Sequence, residues 1–210
     1  MIKVLIADDH ILIREGFKKI LSSESDMLVV GEAKDAFEAL EYLEHQCCDI
    51  IVLDITMPGK SGLDLLGDIR LRFPDIKVLI LSMHDEESYA LRALKAGASG
   101  YLTKETAPEE LIRAIRKIID GRLYISQNVA EQLAANLGGR KDQLPHESLS
   151  DREFQVLHML AKGRSIGDIA TTLSLSPSTV STYRQRIAEK LHVHSTAEMI
   201  LYAVNNGLID

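Results

Sequence analysis

The strongest constraint on the fold is an alternation that runs through residues 1–122 of this 210-residue chain. Five short runs rich in Val, Ile and Leu, at 3–7, 28–33, 50–54, 77–82 and 100–103, read as strands. Between and after them lie helical patterns near 11–21, 36–44, 62–73, 86–96 and 108–120. In the second of these, Phe37, Leu40 and Leu43 supply the apolar spacing. Pro108 near a helix start, and Gly97 and Gly121 just past helix ends, are the expected punctuation. Repeated strand–helix units call for parallel strands joined by helical crossovers. The prediction is therefore a doubly wound α/β domain, with a parallel five-stranded sheet covered by helices on both faces.

The pattern changes after residue 122. Residues 123–148 read as a linker with one short helix over 127–137, a polar hinge at 138–143 and Pro145 closing it. Residues 149–210 read as a small all-α domain with helices near 151–161, 166–173, 179–191 and 196–205. Ser174-Leu175-Ser176-Pro177 joins two of these as the turn of a candidate helix-turn-helix.

Open parallel sheets build their sites beyond the C-terminal ends of the strands. In the first domain that edge gathers Asp8 and Asp9 after the first strand, Asp54 at the end of the third, Ser82 at the end of the fourth and Lys104 after the fifth. Taken singly, a strand-terminal Asp is usually a solvated turn or a helix cap. Five such residues on one edge point to a phosphoryl site. Three carboxylates repel one another unless a hard cation shares their charge, and oxygen ligands beside a phosphate favour Mg²⁺. An Asp carboxylate is also a competent nucleophile toward a phosphoryl group, and Lys104 and Ser82 could receive the phosphoryl oxygens.

Asp8-Asp9, Asp54 followed by Met57-Pro58-Gly59, Ser82, and Gly100-Tyr101-Leu102-Thr103-Lys104 together resemble a receiver domain. The resemblance implies a flavodoxin-like strand order of 2-1-3-4-5 and Asp54 as phosphoacceptor. It further implies a Mg²⁺ site formed by Asp9, Asp54 and the Thr56 carbonyl, with Asp8 acting through water. By the same resemblance Ser82 and Lys104 contact the phosphoryl group, and Tyr101 is the aromatic switch that turns inward. His84 falls where that family varies, and His10 reads as a cap of the first helix; both are expected to be surface or rim residues.

In the second domain, Leu149-Ser150-Asp151-Arg152-Glu153, Ile169-Ala170, Thr179-Val180, Lys190-Leu191 and Gly207-Leu208-Ile209 resemble a LuxR-type DNA-binding domain. The whole chain thus resembles the NarL/FixJ class of two-component response regulators. Val180, Tyr183, Ile187 and Leu191 form the inward stripe expected of a recognition helix. Ser181, Thr182 and Gln185 share another face, suited to base edges, and Arg184, Arg186 and Lys190 suit phosphates. Ser181, Tyr183 and Ile166-Gly167-Asp168 depart from the commonest pattern, which leaves the operator sequence open. The implied partners are a sensor histidine kinase, double-stranded DNA, a second copy of the chain on activation and, as a candidate contact, RNA polymerase. The final helix is the dimer surface that the resemblance implies, and from pattern alone it is equally a packing helix.

Charge qualifies this reading. The net charge is −7, and residues 147–210 carry 6 Lys and Arg against 7 Asp and Glu, so any affinity for nucleic acid must be local. Residues 176–191 sum to +2. A helical domain that binds protein or RNA in place of duplex DNA is therefore the alternative. A phosphatase of the haloacid dehalogenase type is disfavoured, because Thr56 stands where a second Asp would be required; no enzymatic function is expected. The four apolar residues Val4–Ala7 are too few for a signal-peptide core, and no run reaches the length of a membrane span, so a cytoplasmic protein is expected. Adjacent Cys47 and Cys48 lack metal-site spacing.

Overall fold

A computed structural model of the chain describes residues 1–83, 86–138 and 144–209. His84, expected at the surface or rim, and the expected hinge beyond its first residue Gly138 lie outside these. The chain divides into two compact units, residues 1–138 and 139–210.

The first unit alternates β1 (Ile2–Ala7), α1 (Ile11–Ser22), β2 (Met27–Ala33), α2 (Ala36–His45), β3 (Ile50–Asp54), α3 (Gly62–Arg72), β4 (Lys77–Ser82), α4 (Glu86–Lys95), β5 (Gly100–Thr103) and α5 (Ala107–Ile119). All pairings are parallel and the strand order is β2-β1-β3-β4-β5, as the resemblance implied. Every residue of β3 is buried, so this central strand is continuously apolar up to its terminal Asp54. α5 covers one face with Leu111, Ala114, Ile115 and Ile118 at helical spacing.

The expected apolar face of α2 needs correction. Phe37 is 74% exposed, and the buried residues are Ala36, Ala39 and Leu43. Asp35, which accepts from the Glu38 N–H, fixes where the helix starts and hence its phase. Small residues face the sheet, while the Tyr42 hydroxyl reaches over to donate to the Val30 carbonyl at 2.9 Å. Phe37 is one residue, about 100° of helix rotation, away from Ala36 and is left outside.

The chain does not leave the sheet after α5. Tyr124 N–H donates to Ser99 O at 3.1 Å and Tyr101 N–H donates to Tyr124 O at 2.9 Å. Tyr124 thus extends the sheet beside β5 by a single parallel bridge at Gly100. A further helix, α6 (Gln127–Gly138), then packs on α4.

The second unit consists of a short 3-10 turn (Pro145–Ser148) and the helices α7 (Asp151–Ala161), α8 (Ile166–Thr172), α9 (Pro177–Leu191) and α10 (Thr196–Asn205). Each of these α-helices is capped by a serine, Ser150, Ser165, Ser176 and Ser195, whose side chain accepts from the backbone N–H three residues on. Ser150 with Glu153 and Ser165 with Asp168 form complete capping boxes. The cap at Ser176 also corrects the turn: α9 begins at Pro177, two residues before the predicted start, because proline at the first helical position loses no hydrogen bond. Among the described residues no helix is long and apolar enough to cross a membrane.

Candidate phosphoryl site and nucleic-acid interface

The parallel order brings the ends of β1, β3 and β5 together, and their charges meet out of water. Asp54 is 1% exposed, Asp8 is fully buried, and the Lys104 ammonium lies 2.8 Å from Asp54 Oδ2 and 2.7 Å from Asp8 Oδ2. Burial pushes the Asp54 carboxyl up to about 6; neighbouring Asp8 pushes the same way and Lys104 opposes both. For Lys104 burial favours loss of the proton, but Asp54 and Asp8 outweigh it and hold the ammonium above its ordinary range. Asp54 is therefore mostly ionised at neutral pH, buried yet partnered, which suits a carboxylate that must act as a nucleophile.

Backbone geometry fixes the Asp54 carboxylate. Thr56 N–H donates to Asp54 Oδ1 at 3.1 Å and orients the carboxylate. Gly59, in the turn that follows, has φ +74°, which favours glycine. Gly62 opens α3 directly against β3: a Cβ there would stand 2.1 Å from the Asp54 carbonyl oxygen. Only glycine allows that approach.

Asp8, Asp9 and Asp54 offer oxygens that all lie within 4.8 Å of one another, with a nitrogen of His10 in the same group. The buried hydroxyl of Thr56, which has no hydrogen-bond partner among the described residues, adds an unsatisfied polar atom beside Asp54. A hard dication fits this donor set, since it would offset the repulsion of three carboxylates that one ammonium only partly balances. Ser82 is fully buried at the end of β4, and its carbonyl accepts from the Lys104 N–H at 2.7 Å. Tyr101 is buried on β5, paired opposite Ile80.

The sequence places His10 at the rim as a cap of the first helix and gives no sign of the role of Gly62. His10 occupies the cap position of α1, but its side chain caps nothing. It turns back instead, with Nδ1 2.7 Å from Asp9 Oδ1 and 3.2 Å from Asp8 Oδ1. The only signal in the sequence was its place directly after the acidic pair.

On α9, Val180, Ile187 and Leu191 are buried and Tyr183 is half-buried. Thr182, Arg184, Gln185 and Arg186 are exposed and Ser181 is half-buried. The hydroxyls of Ser181 and Thr182 donate back to the carbonyls of Pro177 and Ser178, each at 3.0 Å. Lys190 behaves differently from the arginines: its ammonium lies 2.6 Å from Glu153 Oε2 and donates to Ser148 O at 3.1 Å. It ties α9 to the start of α7. Burial would raise the Glu153 carboxyl, but hydrogen bonds from Lys190 and Ser150 prevail and hold it below its ordinary range.

A doubly wound sheet with a buried carboxylate, an acidic pair and a lysine at its C-terminal edge, followed by a helix-turn-helix unit, defines the class of two-domain regulators. Residues 4–116 match the family of the response regulator receiver domain, and residues 147–203 match bacterial regulatory proteins of the luxR family. The chain belongs to the response regulators that join a receiver domain to a LuxR-type domain. It is similar to the response regulator GacA of Pseudomonas aeruginosa, 39% identical over 211 residues, which span 100% of this chain and 99% of the relative. It is also similar to the response regulator UvrY of Escherichia coli, 37% identical over 209 residues, 99% of this chain and 96% of the relative. Among solved structures, the RcsB response regulator of Salmonella typhimurium aligns with a TM-score of 0.68 at 26% identity, over 97% of each chain. RcsB bound to the promoter rprA in the presence of the phosphomimetic BeF3⁻ aligns with a TM-score of 0.65 at 26% identity, over 96% of this chain and 97% of that one.

Proposed function

We propose that this chain is a cytoplasmic transcription regulator in which phosphorylation of Asp54 by a sensor histidine kinase controls binding to double-stranded DNA. The observation that carries this reading is the buried Asp54 carboxylate, held at the sheet edge by Thr56 and Lys104. An Asp54 oxygen attacks phosphorus, an O–P bond forms, the N–P bond of the kinase phosphohistidine breaks, and the imidazole leaves. Asp8, Asp9, Asp54 and the Thr56 carbonyl would hold Mg²⁺, which when bound supplies charge neutralisation for the transfer. Lys104 and Ser82 receive phosphoryl oxygens. Contact of Ser82 with the phosphoryl group would favour the inward position that Tyr101 already occupies, biasing a two-state equilibrium by local charge.

Tyr101 shares a backbone hydrogen bond with Tyr124, so the state of β5 is passed to the segment that leads on to α6 and the second domain. The domains in this reading are the receiver at 1–122, a linker at 123–148 whose first part, through Tyr124 and α6, belongs to the same compact unit as the receiver, and the DNA-binding domain at 149–210. On DNA, Ser181, Thr182 and Gln185 face base edges, and Arg184 and Arg186 meet phosphates. Lys190, already tied to Glu153, supports the helix and adds positive charge at its end. Activation favours a homodimer on paired half-sites, with RNA polymerase a further contact. The chain itself is not an enzyme; the kinase supplies the phosphoryl group.

With Mg²⁺ and a small acyl-phosphate donor, intact-protein mass spectrometry should show one phosphoryl group on the parent and none on Asp54→Asn. Stable labelling of Asp54→Asn would overturn the assignment.

A further inference from the structure

The two members of the acidic pair are held by different means. The Asp8 carboxylate is pinned at both oxygens: the Lys104 ammonium lies 2.7 Å from Oδ2, and the His10 N–H donates to Oδ1 at 2.8 Å. The Asp9 side chain is a third exposed and meets the exposed ring of His10, so its place is set chiefly by the backbone that carries it. That backbone is clamped. Arg14, in the first turn of α1, donates from a terminal guanidinium nitrogen to the Asp8 carbonyl at 2.7 Å and from Nε to Glu32 Oε2 at 3.2 Å. The Asp8 carbonyl belongs to the planar peptide that joins Asp8 to Asp9. Holding it fixes the point from which the Asp9 carboxylate hangs.

Glu32, on β2, is braced in turn. Lys18 donates to its Oε1 at 2.8 Å and to Glu15, on the same helix, at 2.6 Å. The bond from Lys18 outweighs burial and, with Arg14, holds the Glu32 carboxyl below its ordinary range. The Arg14 side chain is only 14% exposed, and its rigid fork meets two acceptors at once, which a lysine ammonium on its flexible stem does not reproduce. We propose that Arg14, braced by Glu32, is a positioning residue of the receiver cation site and presets Asp9 beside Asp8 to receive Mg²⁺. This rests on the cation-site reading above and adds to it the residues that stand behind the ligands. Partners that orient a ligand without touching the ion are worth about 10- to 100-fold in metal affinity. Charge alone works the other way: a guanidinium beside the acidic pair repels an arriving dication, so its removal would tighten binding. The sign of the change therefore separates positioning from charge.

The test titrates the full, unphosphorylated chain with Mg²⁺ by calorimetry, in the parent, Arg14→Met, Arg14→Lys, Glu32→Ala, the double variant Arg14→Met with Glu32→Ala, and Asp9→Asn. Urea unfolding in chelator checks the fold of each. Arg14→Met and Arg14→Lys should each weaken Mg²⁺ by about tenfold or more, with urea midpoints near that of the parent. Glu32→Ala should weaken it less, and adding Glu32→Ala to Arg14→Met should cost nothing further, because Glu32 acts through Arg14. With an acyl-phosphate donor, the loss should appear in the Mg²⁺ concentration for half-maximal phosphorylation more than in the rate at saturation. If Arg14→Met fails to fold, Arg14→Lys decides by the same sign. Mg²⁺ binding that depends on Asp9 but is unchanged or tighter in the Arg14 variants would overturn the role of Arg14 and leave the cation site standing. Mg²⁺ binding indifferent to Asp9→Asn would overturn the cation site itself, and Arg14 with it.

Discussion

At the C-terminal edge of the sheet, Asp8, Asp54 and Lys104 are all buried, with the ammonium within 2.8 Å of both carboxylates. On α9, Thr182, Arg184, Gln185 and Arg186 project into solvent, and Gln185 has only a 3.2 Å contact with exposed Glu189. The difference sets how each region responds to change. Charges taken out of water are worth several kcal/mol each, so the sheet edge couples its chemistry tightly to the stability of the fold. Solvated side chains are worth little to the fold, so α9 can vary its polar face freely and spend its interactions on a ligand. The first region suits a switch and the second a reader.

The sharpest way to break this contrast is Lys104→Met. With chelator present it leaves two carboxylates buried without their cation, and should cost the first unit about 3–5 kcal/mol in urea unfolding at pH 7. Adding a divalent ion should restore part of that loss. A cost below about 1 kcal/mol would show that the edge is as solvated as α9.

Gly62→Ala comes next. Its Cβ would meet the Asp54 carbonyl at 2.1 Å, and backbone must shift, so a loss of about 3 kcal/mol is expected, together with slower phosphorylation. A neutral result would show that α3 has room to move.

Asp54→Asn should act in the opposite direction. The folded carboxyl titrates near 6, above its unfolded value of 3.8, so the stability linked to it is complete below pH 3.8 and is lost as pH rises through 6. Removing the ionisable group should therefore stabilise the metal-free protein by about 2–3 kcal/mol above pH 6, with the gain fading toward pH 4. Urea unfolding across that range checks both size and sign. A gain that persists unchanged at pH 4 would exclude titration of Asp54 as the cause.

The smallest effect on the fold belongs to α9. Gln185→Ala should change stability by less than about 0.5 kcal/mol and relax preference at one base pair by about 1–3 kcal/mol. Arg186→Ala should weaken all duplexes alike and reduce the salt slope by about one. Affinities across single-base operator variants and several salt concentrations separate the two. Uniform weakening by Gln185→Ala, with altered base preference in Arg186→Ala, would reverse the assigned roles.

Much of this was legible in the sequence because the signals were local or repeated. β3, β4 and β5 fall where the apolar runs placed them, since a buried strand announces itself by composition and its polar terminus. What escaped depended on contacts across the chain or on the phase of a helix. Phe37 satisfied the helical spacing on paper, but the Asp35 cap and the reach of Tyr42 to Val30 turned Ala36 and Ala39 inward instead. The tie between Lys190 and Glu153 spans 37 residues, and no spacing rule reports it. His10 lies at the rim as expected but makes no cap, because sequence shows adjacency and not that a turn folds three consecutive side chains into one cluster. Gly62 opens the predicted helix near 62–73, yet only the folded chain shows the Asp54 carbonyl in the space its side chain would need.

The central claim is that the buried carboxylate governs the exposed reader. The most direct measurement is the affinity of the full chain for a selected operator duplex, at fixed salt, with and without an acyl-phosphate donor, in the parent and in Asp54→Asn. The account predicts that the donor tightens binding of the parent, that Asp54→Asn does not respond, and that both proteins bind equally without donor. Equal stimulation of both, or operator affinity indifferent to the donor in the parent, would contradict it.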